Sequence, residues 1–394
     1  MPEHRQKEKR SSLLTLDELI DDYRKLHDMS PSDLDFVLMG YRYEHLFQSF
    51  LKKFTSKDVD PPEIYDLWRM AFASLMTRKE DSIAQLTHAW VEASKAFFGE
   101  HTSGLTNAFC RKALRDKETI LSTFTNALVL GSVLSKRWKS DSGLQKRFSG
   151  KVLQRPTAGI GCLDRKGTWQ LLSPQHFKEG THLAISKASA DWVQFVIDKV
   201  AEKKSLKLLD ACAAPGGKLI ATLNALEERV TETIAVEAKF KRMERLKGNL
   251  KSWGYEDKVH CELYDWSENS EKIPNDFDLI LADLPCTGLG TLASRPDLLL
   301  KDWSQEDSSL FSLQKLILDN VSERLTKNGL LCVSICSSDP SEIQHINERL
   351  MTKPTFRSML SEENSEEITG WVIIKEGVLI QMKLNSVLRY LKVD

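Results

Sequence analysis

The sequence lacks several features that mark membrane and secreted proteins. It contains no run of 18 uninterrupted apolar residues, so no membrane span is expected. The basic residues 1–10 precede an amphipathic pattern and not a long apolar run, so they do not predict a secretory signal. The seven cysteines are an odd number without a Cys-x-x-Cys pair, which argues against a disulfide framework and a structural zinc site. Free thiols predict a reducing, cytoplasmic compartment.

The sequence also lacks an excess of charge of one sign. Its 55 basic and 56 acidic residues leave a net charge of −1, which argues against binding nucleic acid with the whole surface. The charge is nevertheless uneven, because nine basic residues and two acids give residues 136–166 a net charge of +7. A hydrophobic content of 41% excludes a disordered or collagen-like chain, and 394 residues are enough for two or three domains.

Residues 1–135 show only helical patterns. A helix is predicted after Asp60-Pro61-Pro62-Glu63, and a second one ends at Gly99. Each has one apolar face at helical spacing, which predicts core packing for its aromatic residues. The two faces consist of Ile64, Leu67, Trp68, Ala71 and Leu75, and of Leu86, Ala89, Trp90, Ala93 and Phe97.

Residues 136–182 are interpreted as a basic linker or a small subdomain that contacts phosphates. Glycines and prolines interrupt the basic residues, which is typical of irregular structure. Basic side chains can bind phosphates, and the interspersed Trp138, Phe148 and Trp169 can stack on bases. A solvated basic loop explains the same residues equally well.

Residues 183–394 alternate between strand and helix patterns, which predicts a parallel sheet covered by helices on both faces. One helix carries Leu310, Leu313, Ile317, Val321 and Leu325 and is expected to end at Asn328-Gly329. A hairpin is expected around Glu376-Gly377. The predicted strands are 206–209, 233–236, 259–263, 278–282 and 330–335, followed by hairpin strands at 371–374 and 378–383.

Acidic residues end four successive strands and predict a cofactor site. Asp210 opens a turn of small residues and glycines that lets a ligand approach the backbone at a helix N-terminus. Glu237, 27 residues later, can accept hydrogen bonds from ribose hydroxyls. Asp265 and Asp283 follow the next two strands. Together they favour an adenosine-type cofactor that is cationic, although any one alone is consistent with a simple turn residue.

Two cysteines lie at neighbouring strand ends, where a thiol can act as a nucleophile. Cys286 follows Asp283 closely, and Cys336 follows the fifth strand. A cysteine at such a position is more often a small buried apolar residue, but the adjacent acid and cofactor turn favour catalysis. No histidine lies in these junctions, which disfavours a cysteine–histidine hydrolase. No metal site is predicted.

Three motifs in this order resemble the RNA cytosine-5 methyltransferase family. They are the DACAAPGGK turn at 210–218, ADLPCTGLG at 282–290 with Arg295-Pro296-Asp297 behind it, and SICSSDPSE at 334–342. Residues 105–111 (LTNAFCR) resemble the antiterminator NusB. A NusB-like domain ahead of such a catalytic domain is similar to the bacterial 16S ribosomal RNA methyltransferase B group, the Sun/Fmu proteins.

The resemblance implies an α/β fold, namely a Rossmann-like class I methyltransferase sheet that is parallel with an antiparallel terminal hairpin, preceded by an all-α NusB-like domain. The implied organisation is a NusB-like RNA-binding domain at 1–135, the basic segment at 136–182 and the S-adenosylmethionine-dependent methyltransferase at 183–394. A monomer that acts on RNA, with no DNA or membrane partner, is expected.

The resemblance also implies roles for single residues. Cys336 attacks carbon 6 of cytosine, Asp283 holds the base, and Cys286 promotes release of the enzyme. The target base has to be exposed or flipped out of a helix. The residues implied to bind S-adenosylmethionine are Cys212, Ala213, Ala214, Pro215, Gly216, Gly217, Lys218, Glu237, Asp265 and Asp283.

Some positions depart from the family pattern and leave alternatives open. Ile335 and Ile343 replace the usual Thr and Asn, and Ser186-Lys187-Ala188-Ser189 lacks the acid of Gln-Asp-x-Ala-Ser. A 16S ribosomal RNA methyltransferase is favoured. Another RNA such as transfer RNA, or a non-catalytic RNA-binding or assembly protein with the same fold, is the alternative. A DNA cytosine methyltransferase is disfavoured, because there the Pro-Cys thiol is itself the nucleophile and Cys336 has no role.

Overall fold

The structure is a computed structural model that divides into two compact units, residues 1–156 with 292–304 and residues 157–291 with 305–394. The predicted 136–182 segment is therefore divided between the units. The structure describes residues 31–57, 59–77, 83–123, 126–139, 141–153, 160–268, 273–301, 303–337, 339–352, 356–359 and 369–375.

The first unit is helical in its described part, as its sequence pattern predicts. A return segment, 292–304, also belongs to it, and there Leu300 packs against Val37, Leu38 and Tyr41 of the first helix. Arg295 forms a two-bond ion pair with Asp297 in this segment. The helices are α1 (Pro31–Arg42), α2 (Glu44–Phe54), α3 (Ile64–Thr77), α4 (Ile83–Phe98), α5 (Ser103–Arg115), α6 (Lys117–Ser122), α7 (Asn126–Arg137) and α8 (Ser142–Leu153).

Helix α3 supplies the centre of the first unit's core. The predicted face of this helix is buried at all five positions. The ring of Trp68 stacks on that of Phe109, with 4.7 Å between their centroids, and its indole N–H donates to the Thr106 hydroxyl at 3.0 Å. The core prediction is confirmed here, because a strictly periodic apolar face has one orientation that removes it from water.

The predicted face of helix α4 was wrong at two positions. Phe97 is 74% exposed, and Ala89 is also exposed. The buried position of this helix is Ser94, whose hydroxyl bonds to those of Thr102 and Thr106 at 2.7 Å. Leu86, Trp90 and Ala93 still pack against the core, whereas Phe97 near the helix end faces solvent.

The aromatic residues of the basic segment are packing residues, so the alternative that they stack on bases was wrong for two of them. Trp138 is 3% exposed and Phe148 is fully buried, and their rings stack 4.2 Å apart. Trp169 is half-buried in the second unit, where its indole N–H donates to the Ile185 carbonyl at 3.2 Å. Helix α8 and the last two residues of α7 lie where an irregular linker was expected.

The second unit contains a small antiparallel sheet and a large mixed one. The small sheet, which the sequence pattern did not predict, has the order β2-β1-β3 and consists of β1 (Ile160–Asp164), β2 (Trp169–Leu172) and β3 (His182–Ala184). The large sheet has the order β6-β5-β4-β7-β8-β10-β9. Its strands are β4 (Leu206–Asp210), β5 (Val230–Glu237), β6 (His260–Leu263), β7 (Phe277–Asp283), β8 (Leu325–Ile335), β9 (Phe356–Met359) and β10 (Thr369–Lys375).

Strands β4 to β8 are parallel and confirm the predicted sheet, whereas β10 and β9 add to it in antiparallel pairs. Alternate residues such as Leu208 and Leu209 enter separate cores on the two faces. Helices α9 (Lys187–Lys199), α10 (Gly217–Leu226) and α11 (Phe240–Trp253) cover one face. Helices α12 (Trp303–Ser322) and α13 (Pro340–Thr352) cover the other.

Two boundaries near the end of the sheet differ from the prediction. Helix α12 ends at Ser322, and Leu325 already belongs to β8, because Asn328 takes a positive φ of 63° and Gly329 continues the strand instead of ending a helix. Strand β10 contains the predicted strand 371–374 and pairs with β9, which the sequence pattern did not predict. The predicted turn at 376–377 lies outside the described residues. The strand predicted at 378–383 lies outside the described residues. None of the described helices is long and apolar enough to cross a membrane.

Candidate active site

The candidate site lies at the edge of the large sheet where its parallel strands end. Strand β4 ends in Asp210, β5 in Glu237 and β7 in Asp283, while Asp265 follows β6 and Cys336 follows β8. Because these strands are parallel, their carboxyl ends share one edge, which is where open α/β sheets bind ligands. The structure therefore brings together the predicted acids and both predicted cysteines.

The turn after β4 is held in a fixed shape by β5 and α11. Gly216 has a φ of 106°, and a Cβ atom added there would lie 2.9 Å from Leu246 Cδ1, so only glycine fits. The carbonyl of Ala214 accepts a hydrogen bond from Arg242 at 2.5 Å, and that of Pro215 accepts one from Asn249 at 2.7 Å. The first amide groups of α10 are thereby presented at the sheet edge, as a cofactor turn requires.

Two buried carboxyl groups flank this turn. Asp210 is 2% exposed, and burial raises its pKa to about 7, although the hydrogen bond from the Cys212 amide opposes this. Glu237 is 5% exposed, accepts from the Lys239 amide at 3.0 Å and lies 3.4 Å from Arg242 Nε. Carboxylates in such surroundings are stabilised by a ligand that brings hydroxyl donors or positive charge.

Asp265 differs from these two acids, because it is exposed and accepts a hydrogen bond from the Ser267 amide at 2.9 Å. Even so, the glycine turn and the buried carboxyl groups together fit a cationic nucleoside cofactor. The residues that could hold it are those predicted from the sequence.

Lys218 connects the cofactor turn to the cysteines. Its ammonium group lies 2.6 Å from Asp283 Oδ2, and the Ser334 hydroxyl donates to Asp283 Oδ1 at 2.7 Å. Burial by itself lowers the pKa of Lys218, but the Asp283 carboxylate more than offsets this and holds the pKa above its usual value. Lys218 is therefore a fixed positive charge beside Asp283, a pairing that the sequence did not reveal.

The two predicted catalytic thiols are in contact. The sulfur atoms of Cys286 and Cys336 lie 3.0 Å apart, both cysteines are free, and the Cys336 amide donates to Cys286 Sγ at 3.3 Å. The hydrogen bond from Cys286 lowers the pKa of Cys336 against the effect of burial, and the Lys218 charge adds to the lowering. The same contact and burial raise the pKa of Cys286. The pair therefore favours a thiolate at Cys336 and a thiol at Cys286.

A buried carboxylate that sequence reasoning missed holds the Cys286 loop. Glu342 is fully buried and accepts from the Thr287 amide at 3.1 Å and from the Thr287 hydroxyl at 2.6 Å. It also accepts from Gln314 at 2.7 Å, and the same Gln314 amide donates to the Pro285 carbonyl at 2.9 Å. Both neighbours of Cys286 are thus anchored. Glu342 lies within the SICSSDPSE motif, but nothing in the sequence pointed to Gln314.

The positions that depart from the family pattern are packing positions or a helix cap. Ile335 is fully buried, and the half-buried Ile343 packs against the same core. The Ser186 hydroxyl accepts from the Ser189 amide at 3.1 Å and caps α9. Of the other cysteines, Cys332 is fully buried, and burial raises the pKa of Cys212. No group of acids, histidines and cysteines within the described ranges could hold a metal ion.

Comparison with protein families identifies the catalytic part of the chain. Residues 198–379 match the family described as 16S rRNA methyltransferase RsmB/F. This match covers less than half of the chain and defines what we call the RsmB/F segment. The RsmB/F segment contains β4 to β10 and both cysteines. Class I methyltransferases of this family use S-adenosylmethionine, so the cofactor prediction is confirmed.

Relatives of known name agree with the RsmB/F assignment. The chain is 27% identical over 288 residues to ribosomal RNA small subunit methyltransferase B of Pasteurella multocida, covering 64% of this chain and 63% of the relative. It is 32% identical over 202 residues to the protein of the same name from Salmonella arizonae, covering 49% and 43%. The matches thus span less than two thirds of the relatives' length.

A solved structure supports the fold over a longer part of the chain. The crystal structure of PH0851 aligns with a TM-score of 0.70 at 17% identity, covering 91% of this chain and 93% of that one. Since the identity is low, this similarity supports the fold and nothing finer. The predicted Rossmann-like sheet behind an all-helical region is confirmed.

Proposed function

We propose that this protein transfers a methyl group from S-adenosylmethionine to carbon 5 of a cytosine in RNA, with small-subunit ribosomal RNA as the substrate. The observation that carries the proposal is the pair of free thiols, 3.0 Å apart, next to the ion pair of Lys218 and Asp283. An RNA methyltransferase that alkylates a nitrogen or oxygen atom has no need of two adjacent thiols. In the proposed RNA cytosine-5 reaction one thiol attacks the base and the other assists release.

The chemistry needs a nucleophile because carbon 5 of cytosine is too electron-poor to be methylated directly. We assign the attack to the Cys336 thiolate, which forms a sulfur–carbon bond at carbon 6 and pushes the electron pair of the 5,6 double bond towards carbon 5. S-adenosylmethionine supplies the methyl group as an electrophile. The lowered pKa of Cys336 increases the fraction of the reactive thiolate.

Release of the product needs a second group. The carbon 5 proton passes to solvent water and its electron pair restores the double bond, while the bond from carbon 6 to sulfur breaks and returns Cys336 as a thiolate. Cys286 assists this elimination in the proposal. Its contact with the Cys336 sulfur puts it within reach of both changes. Asp283 is assigned to hold N3 and the amino group of the base, with Ser334 and Lys218 fixing its carboxyl group.

We assign cofactor binding to the turn from Cys212 to Lys218 together with Glu237, Asp265 and Asp283. Glu237 accepts the ribose hydroxyls, and the acids of this edge favour a positively charged ligand. Residues 1–135 are proposed as an RNA-binding domain and the protein as a monomer. The packed positions of Ile335 and Ile343 remove the reason to regard the protein as catalytically silent.

Two variants test the assigned roles in the full-length protein with S-adenosylmethionine and ribosomal RNA. We expect Cys336→Ser to lose methyl transfer but keep cofactor binding, measured by calorimetry. Cys286→Ala should accumulate an adduct of protein and RNA that survives a denaturing gel. Full turnover by Cys336→Ser would refute the assignment. Bisulfite sequencing with and without the gene then distinguishes ribosomal RNA from transfer RNA as the substrate.

A further inference from the structure

The exposed face of α11 is strongly basic. All five basic residues of this helix are exposed, and they are accompanied by one acid, Glu244. The opposite face, with Met243, Leu246, Leu250 and Trp253, packs into the core. Lys241 and Lys251 form no ion pair with any described residue. The charges of Lys241 and Lys251 are therefore not used in ion pairs within the described part of the chain.

Gly248 lies at the centre of that basic face, and no contact within the protein requires a glycine there. Arg245 and Lys251 are three residues before and after it, and Lys241 is seven before it, so all four share one side of the helix. A Cβ atom added at Gly248 would meet nothing within 4 Å. Glycine destabilises a helix interior relative to alanine, and here no internal contact requires it. Its small size instead leaves room for an external group between the basic side chains.

The turn between β1 and β2 extends the same surface. The Arg165 guanidinium lies 4.8 Å from the ring of Trp253 at the end of α11 and donates to the Gly180 carbonyl at 2.8 Å. Gly180 in turn lies against the backbone of Ser252, where an added Cβ atom would be 2.6 Å from the Ser252 carbonyl oxygen. The exposed Lys166 and Lys178 are thereby held near this helix end.

We call the surface formed by Lys166, Lys178, Lys241, Arg245 and Lys251 the basic ridge. Its other end points to the active site, because Arg242 in the first turn of α11 contacts Glu237 and the Ala214 carbonyl. Phe240 begins the helix there and is 65% exposed. An exposed aromatic ring next to lysines is typical of a surface that binds single-stranded nucleic acid.

We propose that the basic ridge binds the sugar-phosphate backbone of the RNA substrate, with closest approach at Gly248 and with Phe240 stacking on an unpaired base at the active-site end of the ridge. The inference rests on the proposed function in taking RNA as the substrate. Phe240 takes the place of Trp138 and Phe148, which are buried, as the aromatic contact. Of the basic segment, the ridge retains only Lys166 and Lys178.

The first test measures binding of a short single-stranded RNA to the full-length protein by fluorescence anisotropy at several salt concentrations. Each phosphate contact contributes about 0.7 to the slope of log K against log salt. The double variant Lys241→Gln/Lys251→Gln should therefore bind more weakly, with a slope smaller by about 1.4. The matched control, Lys199→Gln/Lys204→Gln, removes the same charge next to the amino end of β4. An unchanged slope in the first variant, or an equal change in the control, would overturn the proposal.

A second test distinguishes close approach of a phosphate to Gly248 from attraction by the lysine charges. Gly248→Gln improves helix propensity, so the protein should unfold at the same or a higher temperature. Its bulk should nevertheless weaken RNA binding by about fivefold or more if a phosphate contacts Gly248, since fivefold corresponds to only about 1 kcal/mol. Unchanged affinity would overturn the close approach.

Phe240→Ala tests the stacking contact. It should weaken RNA binding by about fivefold or more and leave S-adenosylmethionine binding unchanged. Weakened cofactor binding with normal RNA binding would overturn the stacking role.

These assays need no methyl transfer, so they can fail independently of the proposed function. Cys336→Ser should bind RNA as the unmodified protein does. If the unmodified protein methylates cytosine in RNA but the ridge variants bind RNA normally, the proposed role of the ridge is wrong and the proposed function stands. If RNA binding follows the ridge but no 5-methylcytosine forms, the function is wrong and the ridge stands.

Discussion

Replacing Glu342 by alanine should both destabilise the protein and loosen the loop that carries Cys286. The carboxylate is fully buried and accepts three hydrogen bonds, two from Thr287 and one from Gln314. Each donor left without a partner costs about 1–3 kcal/mol. Water that enters the cavity can accept from some of these donors, so we expect a cost near the lower end of the range for three donors. The free energy of unfolding should therefore fall by about 3 kcal/mol.

The catalytic consequence follows from where Glu342 acts. It anchors the residue directly after Cys286, so its loss should impair product release more than attack by Cys336. We expect Glu342→Ala to form the first covalent adduct and then accumulate it, as Cys286→Ala does. A denaturing gel of the protein with RNA and cofactor measures the adduct, and urea titration measures stability.

A conservative variant and a control make this test specific. Glu342→Gln keeps one acceptor oxygen for the two N–H donors and offers an N–H to the Thr287 hydroxyl, so it should restore most of the turnover. His345 lies in the same helix as Glu342, and its ring stacks on that of Phe311 with 4.5 Å between the centroids. His345→Ala removes this ring without changing a contact to the loop that carries Cys286. It should lose stability without accumulating adduct. Normal stability and normal release in Glu342→Ala would refute the reasoning.

Three further predictions follow from the site and the core. Lys218→Met removes a charge that favours the Cys336 thiolate, so the methylation rate should begin to rise only at higher pH than in the unmodified protein, as a pH–rate profile measures. Burial raises the pKa of Asp210 from 3.8 to about 7, so the folded state should lose stability as pH rises between those values. Asp210→Asn should reduce this pH-dependent loss of unfolding free energy by up to about 4 kcal/mol, measured by urea titrations at several pH values. Trp138→Ala should cost about 3–5 kcal/mol of stability, because Trp138 is buried against Phe148, and chain that remains folded should bind RNA normally in an anisotropy assay.

The sequence predicted the sheet and the position of the site because both depend on local patterns. Each strand is a short apolar run, and an acid or cysteine marks where it ends. Parallel pairing then brings Asp210, Glu237, Asp283 and Cys336 to one edge without knowledge of any long-range contact. Only the order in which the strands pair depends on the tertiary structure.

The remaining features could not be predicted because they depend on tertiary contacts. Glu342 and Thr287 are 55 residues apart, and Lys218 and Asp283 are 65 apart. A basic segment with scattered aromatic residues looks the same whether the rings stack on bases or, like Trp138 and Phe148, on each other. Phe97 shows that an apolar spacing does not by itself bury every position of a helix face.

The most direct test of the account identifies the atoms joined in the trapped intermediate. Cys286→Ala is incubated with RNA and S-adenosylmethionine, digested with protease and nuclease, and analysed by mass spectrometry. The account predicts a peptide in which Cys336 carries a cytidine nucleotide that is methylated at carbon 5. A nucleotide on any other residue, or methylation at a different atom of the base, would contradict it.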